Sequence, residues 1–137
     1  MIKNELSKAL ILESNQESIN KVNTFIDEVY AEYTEKLNDS YGNMIVALTE
    51  AVNNAIRHGN QLDRNITVDL TLEMGEHELL FSVCDKGAGF DFKNVPDPTH
   101  PDNLDKPSGR GIFIMRSLAD QLEFLNDGRE VQLTFKR

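Results

Sequence analysis

Residues 65–74, "NITVDLTLEM", set Ile66, Val68, Leu70 and Leu72 at every second position, with Thr67, Asp69, Thr71 and Glu73 between them. Successive side chains of a β-strand point to opposite faces, so this spacing makes a strand with one apolar and one polar face. After a turn around Gly75, "ELLFSVCD" repeats the pattern with Leu79, Phe81 and Val83. Near the end, "EVQLTFK" does so with Val131, Leu133 and Phe135 against Glu130, Gln132, Thr134 and Lys136. A sheet covered on both faces reads as unbroken apolar runs, whereas strands with one polar face each require cover on one side only. The expected class is α+β: a two-layer sandwich, with a mixed, mostly antiparallel sheet and its helices on one face.

The remaining segments supply that cover. "ELSKALILE", residues 5–13, reads as a short first strand. "NQESINKVNTFIDEVYAEYTEKL" follows with Ile19, Val22, Phe25, Ile26, Val29 and Tyr33 at helical spacing. "SYGNMIVALTEAVNNAIRHGN" predicts a second helix, with Ser40 as N-cap, Gly59 as stop, and Ile45, Leu48, Val52 and Ile56 as its core face. Between Asp91 and Ser108 the periodicity stops, and all four prolines of the chain fall there. A loop of that length is expected to be a lid at about 91–108; a domain linker is the competing reading, but the residues after it are too few for a second core.

Composition restricts the setting. With 137 residues and 39% hydrophobic content, the chain fits one domain, residues 1–137, since such a length buries roughly two thirds of its unfolded surface. Cys84, the single cysteine, has no internal disulfide partner, and neither a leader-like segment nor a long apolar run marks export or a membrane span. The expectation is a cytoplasmic protein with no membrane partner. A formal charge of -9 and a pI near 4.7 offer no broad basic surface, so nucleic acid is not an expected partner. A nucleotide is anionic too, and a phosphate site here has to be built locally from backbone amides and a few cations.

Three stretches carry chemistry. In "EAVNNAIRHG", residues 50–59, Glu50, Asn54 and His58 are four apart and line up on one side of a helix, opposite its core face. A solvated polar face is one reading. The flanking Ala47, Ala51 and Ala55 support another, in which something approaches the helix closely. "DKGAGFD", residues 85–91, follows a strand directly: Gly87 and Gly89 permit a tight turn and close approach of a ligand, and Asp85 can accept a hydrogen bond from it. A glycine-rich turn in which Asp85 bonds its own backbone is the alternative. In "SGRGIFIMRSLAD", residues 108–120, a Gly-x-Gly turn opens a helix whose packed side is Ile112, Met115, Leu118 and Ala119. Amides exposed at such a start favour phosphate, although a plain helix entry looks the same, and the spacing is not that of a P-loop.

In this order, Glu-x-x-x-Asn on a helix, Asp-x-Gly-x-Gly after a strand, a lid and a Gly-x-Gly helix start together resemble the GHKL ATP-binding superfamily, whose fold is that of the histidine-kinase-like ATPases. Within it, the chain looks most like the bacterial anti-sigma-factor serine/threonine kinases of the sporulation and general-stress types. The resemblance implies an ATP-dependent protein serine/threonine kinase that phosphorylates a small anti-anti-sigma partner, sequesters a sigma factor, uses ATP and Mg²⁺, and pairs as a homodimer. Residue by residue, it implies that Asn54 coordinates Mg²⁺, that Glu50 is the general base, and that Asp85 receives the adenine amino group beside Gly87 and Gly89. It further implies that Gly109, Arg110 and Gly111 form the phosphate turn, with His58 supporting the lid or phosphates. Lys93 and Lys106 are lid cations for which plain surface positions are the favoured reading. The chain departs from the pattern at Arg129, where "DGREV" replaces the threonine that supports the family's adenine pocket. Two other readings stand beside the kinase: a nucleotide-gated binding protein with little transferase activity, and a detached histidine-kinase catalytic domain. The last is disfavoured because the residues before Glu50 are already used by one strand and two helices.

Overall fold

The alternating segments become paired strands in the computed structural model, which describes residues 6–33, 41–63, 65–89 and 109–136. In chain order the elements are β1 (Leu6–Glu13), α1 (Ser18–Tyr33), α2 (Tyr41–Asn54), β2 (Thr67–Met74), β3 (Glu78–Cys84), α3 (Gly109–Leu118), β4 (Gln121–Leu125) and β5 (Glu130–Lys136). The five strands lie in the order β1-β2-β3-β5-β4, and every neighbouring pair is antiparallel.

The register explains why one face is dry. Leu10, Leu70, Val83, Val131 and Phe124 are successive partners across all five strands. Pleating sends this row inward, while the next row, Ile11, Asp69, Cys84, Glu130 and Leu125, points outward. The helices pack on the inward face, where Val22, Ile26 and Val29 of α1, Leu48, Val52 and Ile56 of α2 and its continuation, and Ile112 and Met115 of α3 are buried with Leu70, Phe81 and Leu133. Burying each such aliphatic side chain contributes about 1.5–3 kcal/mol. Phe81 and Phe135 add an edge-to-face contact with ring centroids 5.9 Å apart. No described helix covers the outward face, as the polar side of each strand required.

Short local contacts set the helix ends. The Asn15 side chain accepts the Ser18 N–H at 3.2 Å, and the Ser18 hydroxyl donates to the Glu13 carbonyl at 2.7 Å, which turns the chain from β1 straight into α1. Where α2 begins, Tyr41 stacks at 4.7 Å on Tyr30 and its hydroxyl donates to Asp27.

Three sequence expectations change. β4 was not anticipated: it has five residues and only Leu122 and Phe124 as its inward pair. The second helix is not one uniform α-helix up to Gly59. After Asn54 it widens into a π-turn, Ala55–Gly59, closed by Asn60 N–H on the Ala55 carbonyl at 2.8 Å. The core face of the second helix is wider than expected: Ala47, Ala51 and Ala55 are buried along with Met44, whereas Ile45 is only partly covered. α3 packs against α2, and Ala51 and Ala55 also face a concavity shared with Ile112 and Met115 of α3. Ser40 and the segment 91–108, with Lys93 and Lys106, lie outside the described residues.

Candidate functional site

At one end of the sandwich the C-terminal part of α2, the end of β3, the start of α3 and the turn into β5 meet around a single concavity. It is lined by Ala51, Asn54, Ala55 and His58 from the α2 region and Val83, Asp85 and Gly89 from β3 and its turn. Ile112 and Met115 of α3, Phe124 of β4, and Gly128, Arg129 and Val131 complete it. Most of this lining is apolar, with a few polar groups converging on it, the usual composition of a small-molecule site.

Glu50 stands beside this pocket and not among its lining residues. A β-carbon added at Gly111 would lie 3.1 Å from Glu50 Oε2 and 3.0 Å from Asn54 Nδ2. The absence of a side chain at Gly111 therefore lets the first turn of α3 rest on the Glu50 and Asn54 stripe without displacing it, and the stripe faces a helix start. Gly109 opens α3, and Arg110 beside it is exposed.

The Asp85 turn is fitted just as closely. A β-carbon at Gly87 would lie 1.9 Å from the Gly59 carbonyl oxygen, so the turn after β3 is pressed against the end of the π-turn. Gly89 lines the pocket with φ 83°. Asp85 accepts the Gly87 N–H through Oδ1 at 2.9 Å. The local bond of the alternative reading is therefore present, and Asp85 also lines the pocket. Burial pushes the Asp85 carboxyl up from its ordinary value, opposed by the Gly87 N–H, then Arg129, then Lys86. His58 is moved down, by burial first and by Arg57 second, so its imidazole is neutral at physiological pH.

Two residues matter more than the sequence indicated. Asn60, which read as the residue after a helix stop, is 2% exposed. Its amide nitrogen donates to Ser14 Oγ at 3.0 Å and to the Thr67 carbonyl at 3.0 Å, while its oxygen accepts the Lys86 N–H at 2.8 Å. One side chain thereby ties the end of β1, the start of β2 and the turn carrying Asp85. A turn-type residue next to an expected pocket was the available signal. Arg129, noted only as a departure, donates from Nε to the Gly87 carbonyl at 3.0 Å, and its own carbonyl accepts the Asp85 N–H at 2.8 Å.

This geometry has relatives. A serine-protein kinase RsbW from Bacillus cereus is 29% identical over 105 residues, 70% of this chain and 64% of the relative. One from Staphylococcus aureus is 29% identical over 84 residues, 56% of this chain and 53% of the relative. The chain therefore spans less than two thirds of the length of these curated relatives. Among solved structures, the RsbU and RsbW domains of a Mycobacterium tuberculosis protein align with a TM-score of 0.61 at 17% identity, covering 96% of this chain and 32% of that one, which supports the fold. The model of the histidine kinase-like ATPase domain matches residues 12–135. Because that match runs through both layers of the sandwich and every element lining the pocket, the chain belongs to the family of histidine kinase-like ATPase domains.

Proposed function

We propose that this chain is an anti-sigma factor with serine/threonine kinase activity: it binds ATP with Mg²⁺, phosphorylates a small anti-anti-sigma partner and alternately holds a sigma factor. The observation that carries the reading is the meeting of Asn54, His58 and Asp85 in one pocket, with Glu50 at its rim against the start of α3. The serine-protein kinase names of the relatives supply the reaction class.

In this reading the purine ring enters the apolar part of the pocket among Ala55, Val83 and Met115, and its exocyclic amine donates to Asp85. The phosphates extend toward the Gly109–Gly111 turn, whose amides and helix dipole favour anionic oxygens. The residues present suit a magnesium ion: Asn54 offers a neutral oxygen, and a small hard cation takes its other ligands from phosphate and water. Bound there, the ion would neutralise phosphate charge. Glu50 is the group that accepts the proton of the attacking hydroxyl. The hydroxyl oxygen forms a bond to the γ-phosphorus, the bond from that phosphorus to the bridging oxygen breaks, ADP departs, and the proton ends on Glu50. A homodimer belongs to the same reading, and light scattering tests it.

Incubation with labelled ATP and candidate partner domains, followed by phosphoserine mapping, tests the reaction. Glu50→Gln is expected to keep MgATP bound but slow transfer by about 10²- to 10⁴-fold, as for a lost general base. Asn54→Ala is expected to weaken Mg²⁺-dependent binding itself. Tight binding of ATP by the wild type with no label on any partner would favour a nucleotide-gated binding protein.

A further inference from the structure

We propose that Arg129 is a positioning residue for nucleotide binding, acting through the Asp85 turn, which it grips from both sides. The inference rests on the ATP-binding reading above and adds to it the residue that holds the base-recognition group in place. Two contacts define the grip. The Arg129 carbonyl accepts the Asp85 N–H at 2.8 Å, and its Nε donates to the Gly87 carbonyl at 3.0 Å, so one residue fixes the main chain on each side of Lys86. The side chain lines the same pocket as Asp85.

Without the Nε bond, the Gly87 carbonyl loses its partner in a partly buried position, and the turn is left to the main-chain bond at Arg129, the Asp85 to Gly87 bond and the Asn60 contact. The guanidinium also opposes the burial that favours a protonated Asp85. Other groups act on the same carboxylate: the Gly87 N–H opposes its protonation more than Arg129 does, and Lys86 opposes it less. Lys86 follows Asp85, but its ammonium is bonded to the Thr67 carbonyl at 3.0 Å and hydroxyl at 2.8 Å and lies 3.6 Å from Asp69. His58, in the same pocket, has its pKa lowered by burial first and by Arg57 second, so it adds little positive charge near pH 8. Cys84 precedes Asp85, and Glu130 faces Cys84 across the β3 to β5 pairing. A positive charge at residue 129 thus favours the ionised, hydrogen-bond-accepting form of Asp85, and the Nε contact favours its orientation.

Two variants separate these roles. Arg129→Gln places an amide N–H where Nε stands, keeping the donor and deleting the charge. Arg129→Met deletes both. Calorimetric titration with MgATP from about pH 5 to about pH 8 reads them, circular dichroism verifies folding, and Asp85→Asn is the control for the reading itself. Near pH 8, Arg129→Met is expected to bind at least about tenfold more weakly than wild type and Arg129→Gln within about threefold, the span one hydrogen bond covers. On acidification, both variants should lose affinity at a higher pH than wild type. Should Arg129→Met not fold, the acid limb of Arg129→Gln decides alone. Wild-type affinity and an unshifted acid limb in the variants, with Asp85→Asn still impaired, would overturn the role of Arg129 and leave ATP binding intact. Failure of the wild type to bind, or full binding by Asp85→Asn, would overturn both.

Discussion

Asp85 is held in a way that sets binding against stability. Burial raises its carboxyl pKa above the unfolded value of 3.8, so the folded chain holds that proton more tightly than the unfolded one. The resulting stabilisation is complete below the unfolded value and is lost as pH rises through the folded value. At neutral pH the ionised carboxylate therefore opposes folding. Asp85→Asn, neutral throughout, is expected to melt above the wild type near pH 7, with the gap closing in acid, while ATP affinity falls at least about tenfold with the loss of a charge-assisted acceptor. Calorimetric melting across pH checks the first part and titration the second; a variant that melts below wild type at pH 7 would contradict the account. Asn60 shows the opposite balance, because its amide is fully used: it donates twice and accepts once inside the fold. Asn60→Leu leaves the Lys86 N–H without its acceptor, whereas the Ser14 hydroxyl keeps the Ile66 carbonyl at 2.6 Å and the Thr67 carbonyl keeps the Lys86 ammonium at 3.0 Å; a stranded group costs about 1–3 kcal/mol where water cannot reach. Urea unfolding should therefore show a loss of about 1–3 kcal/mol, together with weakened nucleotide binding because the Asp85 turn is tied through Lys86.

The packing of α3 on α2 links the two halves of the candidate site, and Gly111 is the point of contact. A methyl group there would press on the ends of two side chains, Glu50 and Asn54, and not on a rigid backbone. The helix gains from alanine in place of glycine by about 1 kcal/mol, so Gly111→Ala should melt at or above the wild-type temperature. Displacing the stripe is nevertheless expected to slow phosphoryl transfer by about 10- to 100-fold, because small misplacements of catalytic groups are expensive. Equal transfer rates in the two proteins would show that the contact does not align the stripe. This coupling also marks how far the sequence could be read. Strict alternation in β2, β3 and β5 made the sheet and its bare face legible, and the four-residue steps of Glu50, Asn54 and His58 located the polar stripe. β4 escaped because two inward side chains, Leu122 and Phe124, are too few to establish a period. The π-turn escaped because its hydrogen bond from Asn60 to Ala55 is a matter of backbone geometry that no residue pattern announces. The alanines were legible as a mark of close approach, but only the tertiary structure places Ala51 and Ala55 in a pocket lining with Ile112 and Met115 of α3.

The sandwich as a whole has one dry and one open side, and Cys84 lies on the open side of its central strand. β3 is paired with β2 through Cys84 and Asp69 and with β5 through Cys84 and Glu130, so the thiol sits between two carboxylates. Burial, followed by Glu130, Asp69 and Asp85, pushes its pKa up to about 11. At pH 8 roughly one folded thiol in a thousand would then be a thiolate, against about a quarter for a free cysteine with a pKa near 8.5. Because β3 is flanked on both sides, releasing this half-buried thiol from the burial and the Glu130 and Asp69 carboxylates that raise its pKa requires separating β3 from β2 and β5, so its ionisation should report unfolding of the sheet. Reaction with a disulfide reagent at pH 8 is expected to be slow in native buffer and to accelerate by about a hundredfold or more in unfolding concentrations of urea, from ionisation alone. Its urea dependence should follow the midpoint measured by circular dichroism. Rapid native labelling, or labelling that precedes the optical transition, would mean that β3 opens without the rest of the fold and that the sheet is not the cooperative unit supporting the site.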